Sequence, residues 1–245
     1  MLIKLICCDV FLRPVSALVA TSPHTIDVEY VPMLAHEKPD VLRADLQARI
    51  NASPARGYDL LLLLYGLCGN ATVGLTSPVK MIIPRIHDCC AMFVGSKGKF
   101  MQEFGNNPSM RWCTSGYYER SRLGNAPGWH PSRNRETYAE YRSLVEKYGE
   151  DNAQYIWDTM HPEIETPEAA YIRIEGHEQP GHENSFKALV EEQDKTLRVI
   201  QGSTAYLQAM INGPWDDEIF LTINPGQEIG AVYDMEKVLE AVPTI

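Results

Sequence analysis

Residues 58–65 read YDLLLLLY, and Gly66-Leu67-Cys68-Gly69-Asn70 follows directly. A continuous apolar run of this length, closed by glycines, is the pattern of a strand buried on both faces, as in a parallel sheet. Working outward, the runs at 2–11, 25–31 and 79–84 read as further strands, with a helix over 39–52. That helix rests on Val41, Leu42, Leu46 and Ile50, which recur at helical spacing. A helix over 89–101 and a strand over 110–117 complete this half.

Residues 119–135 are rich in Arg, Gly and Pro and read as a long surface loop or lid. Residues 136–160 read as helical, broken at Gly149. The rhythm then resumes: strand 169–174, helix 183–193, strand 196–200, helix 204–212, strand 219–223. Alternation of this kind predicts an α/β fold, mostly parallel sheets flanked by helices. The repeated order of elements suggests two Rossmann-like lobes with faint pseudo-symmetry: 1–118, an insert at 119–168, and 169–245.

Composition sets outer limits. Of 245 residues 44% are hydrophobic, so the chain has material for a core and is not a disordered tail. With 22 Lys+Arg against 32 Asp+Glu, the net charge of −10 argues against a nucleic-acid partner. Asp9, Arg13 and Pro14 interrupt the first apolar stretch, which therefore lacks the roughly 7–15 apolar residues of a secretory leader. No run approaches the roughly 20 apolar residues of a membrane span. The expectation is a cytoplasmic protein with no membrane partner, whose six cysteines stay reduced.

In open parallel sheets, ligands bind beyond the carboxyl ends of the strands. Cys7 and Cys8 follow the first expected strand, His36 the second, Cys68 the third, and His87-Asp88-Cys89-Cys90 the fourth. Four successive strands thus deliver Cys or His to one edge. Thiolates with imidazoles are the ligand set of zinc, or of an iron–sulfur cluster or another transition metal where cysteine dominates. There is no C-x-x-C pair, so such ligands must converge in space.

Each cysteine alone is as well explained as a small buried hydrophobe. Neighbours on a strand face opposite ways, so at most one of Cys7 and Cys8 faces the site. Cys113 reads as packing. Cys68 also fits a nucleophile elbow: a helix starting after it, capped by Asn70, would lower its thiol pKa, and His87 or His36 would serve as base. Asp88 reads either as a partner orienting His87 or as a helix cap. His177 and His182 read as a solvated loop, and Gly202-Ser203 as a candidate anion-binding helix start.

The segments YDLLLLLYGLCGNATVGL, IIPRIHDCCAMFVGS, TSGYYE and NGPWDDEIFLTINPG resemble the domain-of-unknown-function family 1638, in order and spacing, over nearly the whole chain. That resemblance implies a shared set of Cys8, His36, Cys68, His87 and Cys89, choosing Cys8 over Cys7 and Cys89 over Cys90. The family's usual Thr-Pro-Gly-Trp is replaced here by Thr114-Ser115-Gly116-Tyr117, and the segment with Pro127-Gly128-Trp129 is not typical of it. The family's company implies corrinoid-dependent methyl transfer.

The leading expectation is therefore a metal-dependent enzyme of small-molecule, methyl or one-carbon metabolism. Zinc is its first-choice metal, held by Cys8, Cys68, His87 and Cys89. His36 is a ligand or acid/base and Asp88 a supporting group. A corrinoid or methyltransferase protein is the expected partner. The alternatives are a hydrolase or lyase using Cys68 as nucleophile, and a non-enzymatic metal or corrinoid carrier.

Overall fold

The computed structural model describes residues 1–33, 39–107, 110–123, 144–150, 152–153, 167–232 and 237–244. Leu60–Leu64 forms strand β3 of the sheet, every side chain buried, as the apolar run requires. It lies beside β1 (Leu2–Cys8), and β1 lies beside β2 (Thr25–Val31). Strand β4 (Met81–Pro84) flanks β3 on its other side, and all these pairs are parallel. The order is β2-β1-β3-β4, closed by β8 (Phe220–Ile223), which pairs with β4 antiparallel. The chain runs from β1 out to β2, then returns past β1 to β3. That reversal makes the β1/β3 boundary a topological switch point, where a crevice opens beyond the strand ends.

Helix α1 (Leu12–Ala20) follows β1 after a 3-10 turn at Asp9–Phe11. Pro14 sits in its first turn, where the missing N–H would have had no helical partner. Helix α2 (Pro39–Asn51) buries Leu42, Leu46 and Ile50, one stripe at four-residue spacing. Two contacts tell the faces of β1 apart. Tyr30, in register with Cys7, bonds Ser16 of α1 through its hydroxyl (2.8 Å). Lys4 reaches the Arg49 carbonyl of α2 (2.8 Å). Strand alternation then puts Cys7 under α1 and Cys8 on the α2 side.

Helices α3 (Cys90–Val94) and α4 (Lys97–Phe104) follow β4. A second, three-stranded parallel sheet has the order β5-β6-β7, from Arg111–Cys113, Glu168–Arg173 and Thr196–Gln201. With it come α5 (Ser115–Leu123), α6 (His182–Glu191) and α7 (Ala205–Asn212). One apolar core runs through both sheets, including Leu62 and Ile82 of the first and Ala170, Ile172 and Ile200 of the second. An antiparallel hairpin of β9 (Gln227–Ala231) and β10 (Leu239–Pro243) ends the described chain.

The fold is thus mixed α/β, with parallel strands and flanking helices. Several expectations are corrected in detail. The strand expected over 110–117 stops at Cys113, because Thr114 caps a helix: its Oγ1 accepts the Tyr117 N–H (3.2 Å). Residues 119–123 consequently belong to α5, and the rest of the expected loop over 119–135 lies outside the described residues. Of the helix expected over 136–160, residues 144–148 are described and helical, and Gly149 interrupts them with φ +77°.

Candidate functional site

Cys8 is the last residue of β1, and Cys68 comes four positions past the end of β3. His87, Asp88 and Cys89 follow β4. The two loops are laced together beyond the strands. The Leu67 N–H donates to the Ile86 carbonyl (2.9 Å) and the Cys68 N–H to the His87 carbonyl (2.8 Å). Gly66 allows this approach, since a Cβ there would lie 2.7 Å from the Ile86 oxygen. The pairing holds Cys68 and His87 in fixed register at the switch point.

Cys68 occupies a strained turn. Cys68, Gly69 and Asn70 have φ of +46°, +63° and +67°, three left-handed residues in succession. Asn tolerates this region; for Cys it costs about 1–2 kcal/mol. Two bonds hold the turn: Arg43 donates to the Asn70 carbonyl (2.7 Å), and the buried Thr72 hydroxyl to the Gly66 carbonyl (3.0 Å). The helix expected after Cys68 is absent, because residues 68–74 form turns. Asn70 caps nothing, and no helix N-terminus lowers the thiol. Burial instead pushes Cys68 up to about 12, and the nearby Asp88 carboxylate adds to the rise.

The other two thiols behave alike. Burial pushes Cys8 up to about 12, with smaller upward contributions from Asp9 and Cys68. Cys89 is raised well above its ordinary value by burial first, then by Asp88, Cys68 and Cys8. Cys8, Cys68 and Cys89 stand at or just past the ends of β1, β3 and β4, which are neighbours in the sheet. As folded they are neutral thiols. Cys7, Cys90 and Cys113 are buried in the core, and all six cysteines are free.

His87 is partly exposed, but its Nε2 is buried without a hydrogen-bond partner among the described residues. Asp88 acts as a cap: its Oδ1 accepts the Cys90 N–H (2.8 Å), and burial raises its carboxyl. His36 lies outside the described residues. Among the described residues, no group of three or more His, Cys, Asp and Glu side chains stands arranged to hold a metal ion. The donor chemistry of a soft-metal site is present in one place, without a closed ligand shell.

Tyr117, the residue that sequence reasoning missed, comes from α5. Its hydroxyl lies 2.7 Å from the Cys89 Sγ. Its ring meets Trp112 edge-on (4.7 Å between centroids) and Phe93 likewise (6.0 Å). Helix α5 is clamped onto the first sheet. Arg13 grips Glu119 with two bonds (2.9 and 3.0 Å), and Arg120 faces Asp9 (3.6 Å). Gly116 permits the contact, since a Cβ there would stand 2.1 Å from the Val10 oxygen. Tyr65, buried beside Cys8, Cys7 and Cys68, is a second missed neighbour; burial raises its hydroxyl pKa, and those thiols add to the rise.

The other candidates go elsewhere. His182 lies tilted against the Tyr118 ring (4.8 Å between centroids), and burial lowers the pKa of His177. Ser203 at the start of α7 is already engaged: its N–H donates to the Phe93 carbonyl (3.0 Å) and its hydroxyl accepts from Ala205 (3.1 Å). Among the described residues no helix is long and apolar enough to cross a membrane.

The profile of a protein family of unknown function, DUF1638, matches residues 30–211, more than half of the chain. The chain belongs to this family. The DUF1638 match takes in Cys68, His87, Cys89 and Tyr117, and leaves β1 with Cys8 outside. No curated protein and no solved structure matches the chain.

Proposed function

We propose that Cys8, Cys68 and Cys89, with His87, bind a soft metal ion at the β1/β3 crevice. One observation carries this reading: Cys8, Cys68 and Cys89 sit at or just past the ends of three neighbouring parallel strands, with His87, whose buried Nε2 has no hydrogen-bond partner among the described residues. Their protonation separates it from the alternative. A free nucleophile whose thiol is pushed up to about 12 would need an adjacent base to take its proton. A bound divalent ion supplies the charge that turns such thiols into thiolates. The donor set suits zinc first, then an iron–sulfur cluster or another thiophilic metal. Closing the ligand shell requires movement, and the strained Cys68 turn is the part best placed to give it.

Zinc with an open position activates a substrate thiol for methyl transfer, or water for hydrolysis. The proposed protein is a cytoplasmic enzyme acting on a small molecule in methyl or one-carbon metabolism. A corrinoid or methyltransferase protein is its proposed partner. Cys8, Cys68 and Cys89 all lie at or just past strands of the five-stranded sheet, whose edge strand β8 comes from the last part of the chain. His36, outside the described residues, is proposed as a ligand or acid/base.

A second reading, Cys68 as nucleophile, draws on its left-handed backbone, which resembles a strained elbow. Elemental analysis of protein purified without added metal decides between them. The expected result is stoichiometric zinc or iron, lost in both Cys68→Ser and Cys89→Ser. Metal-free protein that turns over substrate and is inactivated by alkylation at Cys68 overturns the metal reading in favour of the second.

A further inference from the structure

The geometry points to Tyr117 as a positioning residue that holds the Cys89 sulfur by a hydrogen bond from outside the metal's own ligands. This inference rests on the metal-site reading above. Two ligands of one tetrahedral ion, an oxygen at about 2.0 Å and a sulfur at about 2.3 Å, stand about 3.5 Å apart. The Tyr117 hydroxyl is 2.7 Å from the Cys89 sulfur. That spacing is a hydrogen bond and excludes the two atoms as neighbouring ligands of one ion in this arrangement. A phenol offers one proton, and a thiolate can only accept it. Outer-shell donors of this kind orient a ligand and draw electron density from it.

The hydroxyl is held in place independently of the cysteine. The Tyr117 ring is wedged between Trp112 and Phe93, and its N–H bonds the Thr114 hydroxyl. Glu119 and Arg120, on the same helix, anchor to Arg13 of α1 and to Asp9, which directly follows Cys8. Helix α5 thus carries a donor to the site from the part of the chain leading into the second sheet, while Cys8, Cys68 and Cys89 come from the first. The DUF1638 match spans both Tyr117 and Cys89, so the contact lies within the family's own stretch of chain.

Tyr117→Phe removes one oxygen and leaves the ring packing. The probe is cobalt(II) alone, added to metal-free full-length protein. In the parent, a sulfur-to-cobalt charge-transfer band should appear, and Cys89→Ser should diminish it. In Tyr117→Phe the band should move to longer wavelength, as the sulfur regains electron density. Cobalt loss to a chelator should speed up about 10-fold or more. Tyr58→Phe, which removes a hydroxyl bonded to Asp27 away from the crevice, should change neither. A parent band that Cys89→Ser diminishes, with Tyr117→Phe matching the parent in wavelength and release, overturns the role of Tyr117 alone. A parent without any thiolate–cobalt band overturns the metal site and this inference with it.

Discussion

Replacing Gly116 by Ala adds one methyl group at the tightest backbone approach around the site. Two effects compete. Gly116 sits in the first turn of α5 and has ordinary negative φ, so Ala gains helix propensity of at most about 1 kcal/mol. Against this, the new Cβ lands 2.1 Å from the Val10 oxygen and 3.2 Å from the Val10 carbonyl carbon. Relief requires α5 to retreat by about 1 Å, since real Cβ–oxygen contacts begin near 3.0–3.4 Å. Val10 is buried in the 3-10 turn fixed to the end of β1, so the helix must do the moving. Overpacking of this kind costs about 1–3 kcal/mol, and the retreat also strains the Arg13–Glu119 and Asp9–Arg120 contacts. The net expectation is a loss of about 1–2 kcal/mol, or roughly 2–8 °C in Tm for a chain of this size. Urea unfolding followed by tryptophan fluorescence measures it. Iodoacetamide labelling of the buried Cys89 should rise in the same variant, because the retreat of α5 uncovers its sulfur. A Gly116→Ala protein as stable as the parent, or more so, refutes the argument that α5 is pressed against Val10.

Alkaline stability tests the neutral thiols. Cys8 keeps its proton in the fold up to about pH 12, whereas an unfolded cysteine releases it near pH 8.5. Its contribution is complete below about 8.5 and is lost as pH rises toward 12. The metal-free protein should therefore lose about 2 kcal/mol by pH 10 through Cys8, and Cys8→Ala should flatten the slope. Identical urea midpoints at pH 7.5 and 10 would contradict this. The Arg13–Glu119 pair behaves oppositely. Arg13 holds the Glu119 carboxyl below its usual range, so its stabilisation is present above about pH 4.3 and disappears as pH falls through the lower folded value. Glu119→Gln should cost about 0.5 kcal/mol at pH 7 and progressively less as pH falls below about 4.3, and a deficit independent of pH would rule the pair out as its cause.

Most of the parallel core was legible because burial on both faces leaves an unmistakable run, and Leu60–Leu64 is one. Strand direction was not. Nothing in the periodicity of Phe220–Ile223 says that it pairs antiparallel, or that it pairs with β4 of the first sheet. Helix α1 is hidden because its apolar residues run on almost directly from β1, and Pro14 in its first turn reads as an interruption. The C-terminal hairpin was missed because QEIGA and LEAVP carry Gly, Pro and acidic residues that weaken any strand pattern. At the site, the cysteines were visible as residue types at strand ends. The choice between Cys7 and Cys8 then follows from strand alternation once Lys4 and Tyr30 mark the faces. Tyr117 was hidden by the expected strand over 110–117, which would have pointed it elsewhere. The absent helix after Cys68 could not be foreseen either, since Gly-Leu-Cys-Gly-Asn suits a helix start and a left-handed turn equally well.

The antiparallel closure of the first sheet has a consequence during synthesis. Arg85, just past β4, donates to the Asp217 carbonyl (2.7 Å), a partner 132 residues further along the chain. At about 5–20 residues per second, a ribosome needs roughly 7–26 s to supply it. Throughout that interval β4 lacks its outer neighbour, and its unpaired N–H and C=O groups can recruit a strand from another nascent chain. The apolar MIIP sequence of β4 raises that hazard. Phe220–Ile223 is thus a late-arriving stopper for that edge.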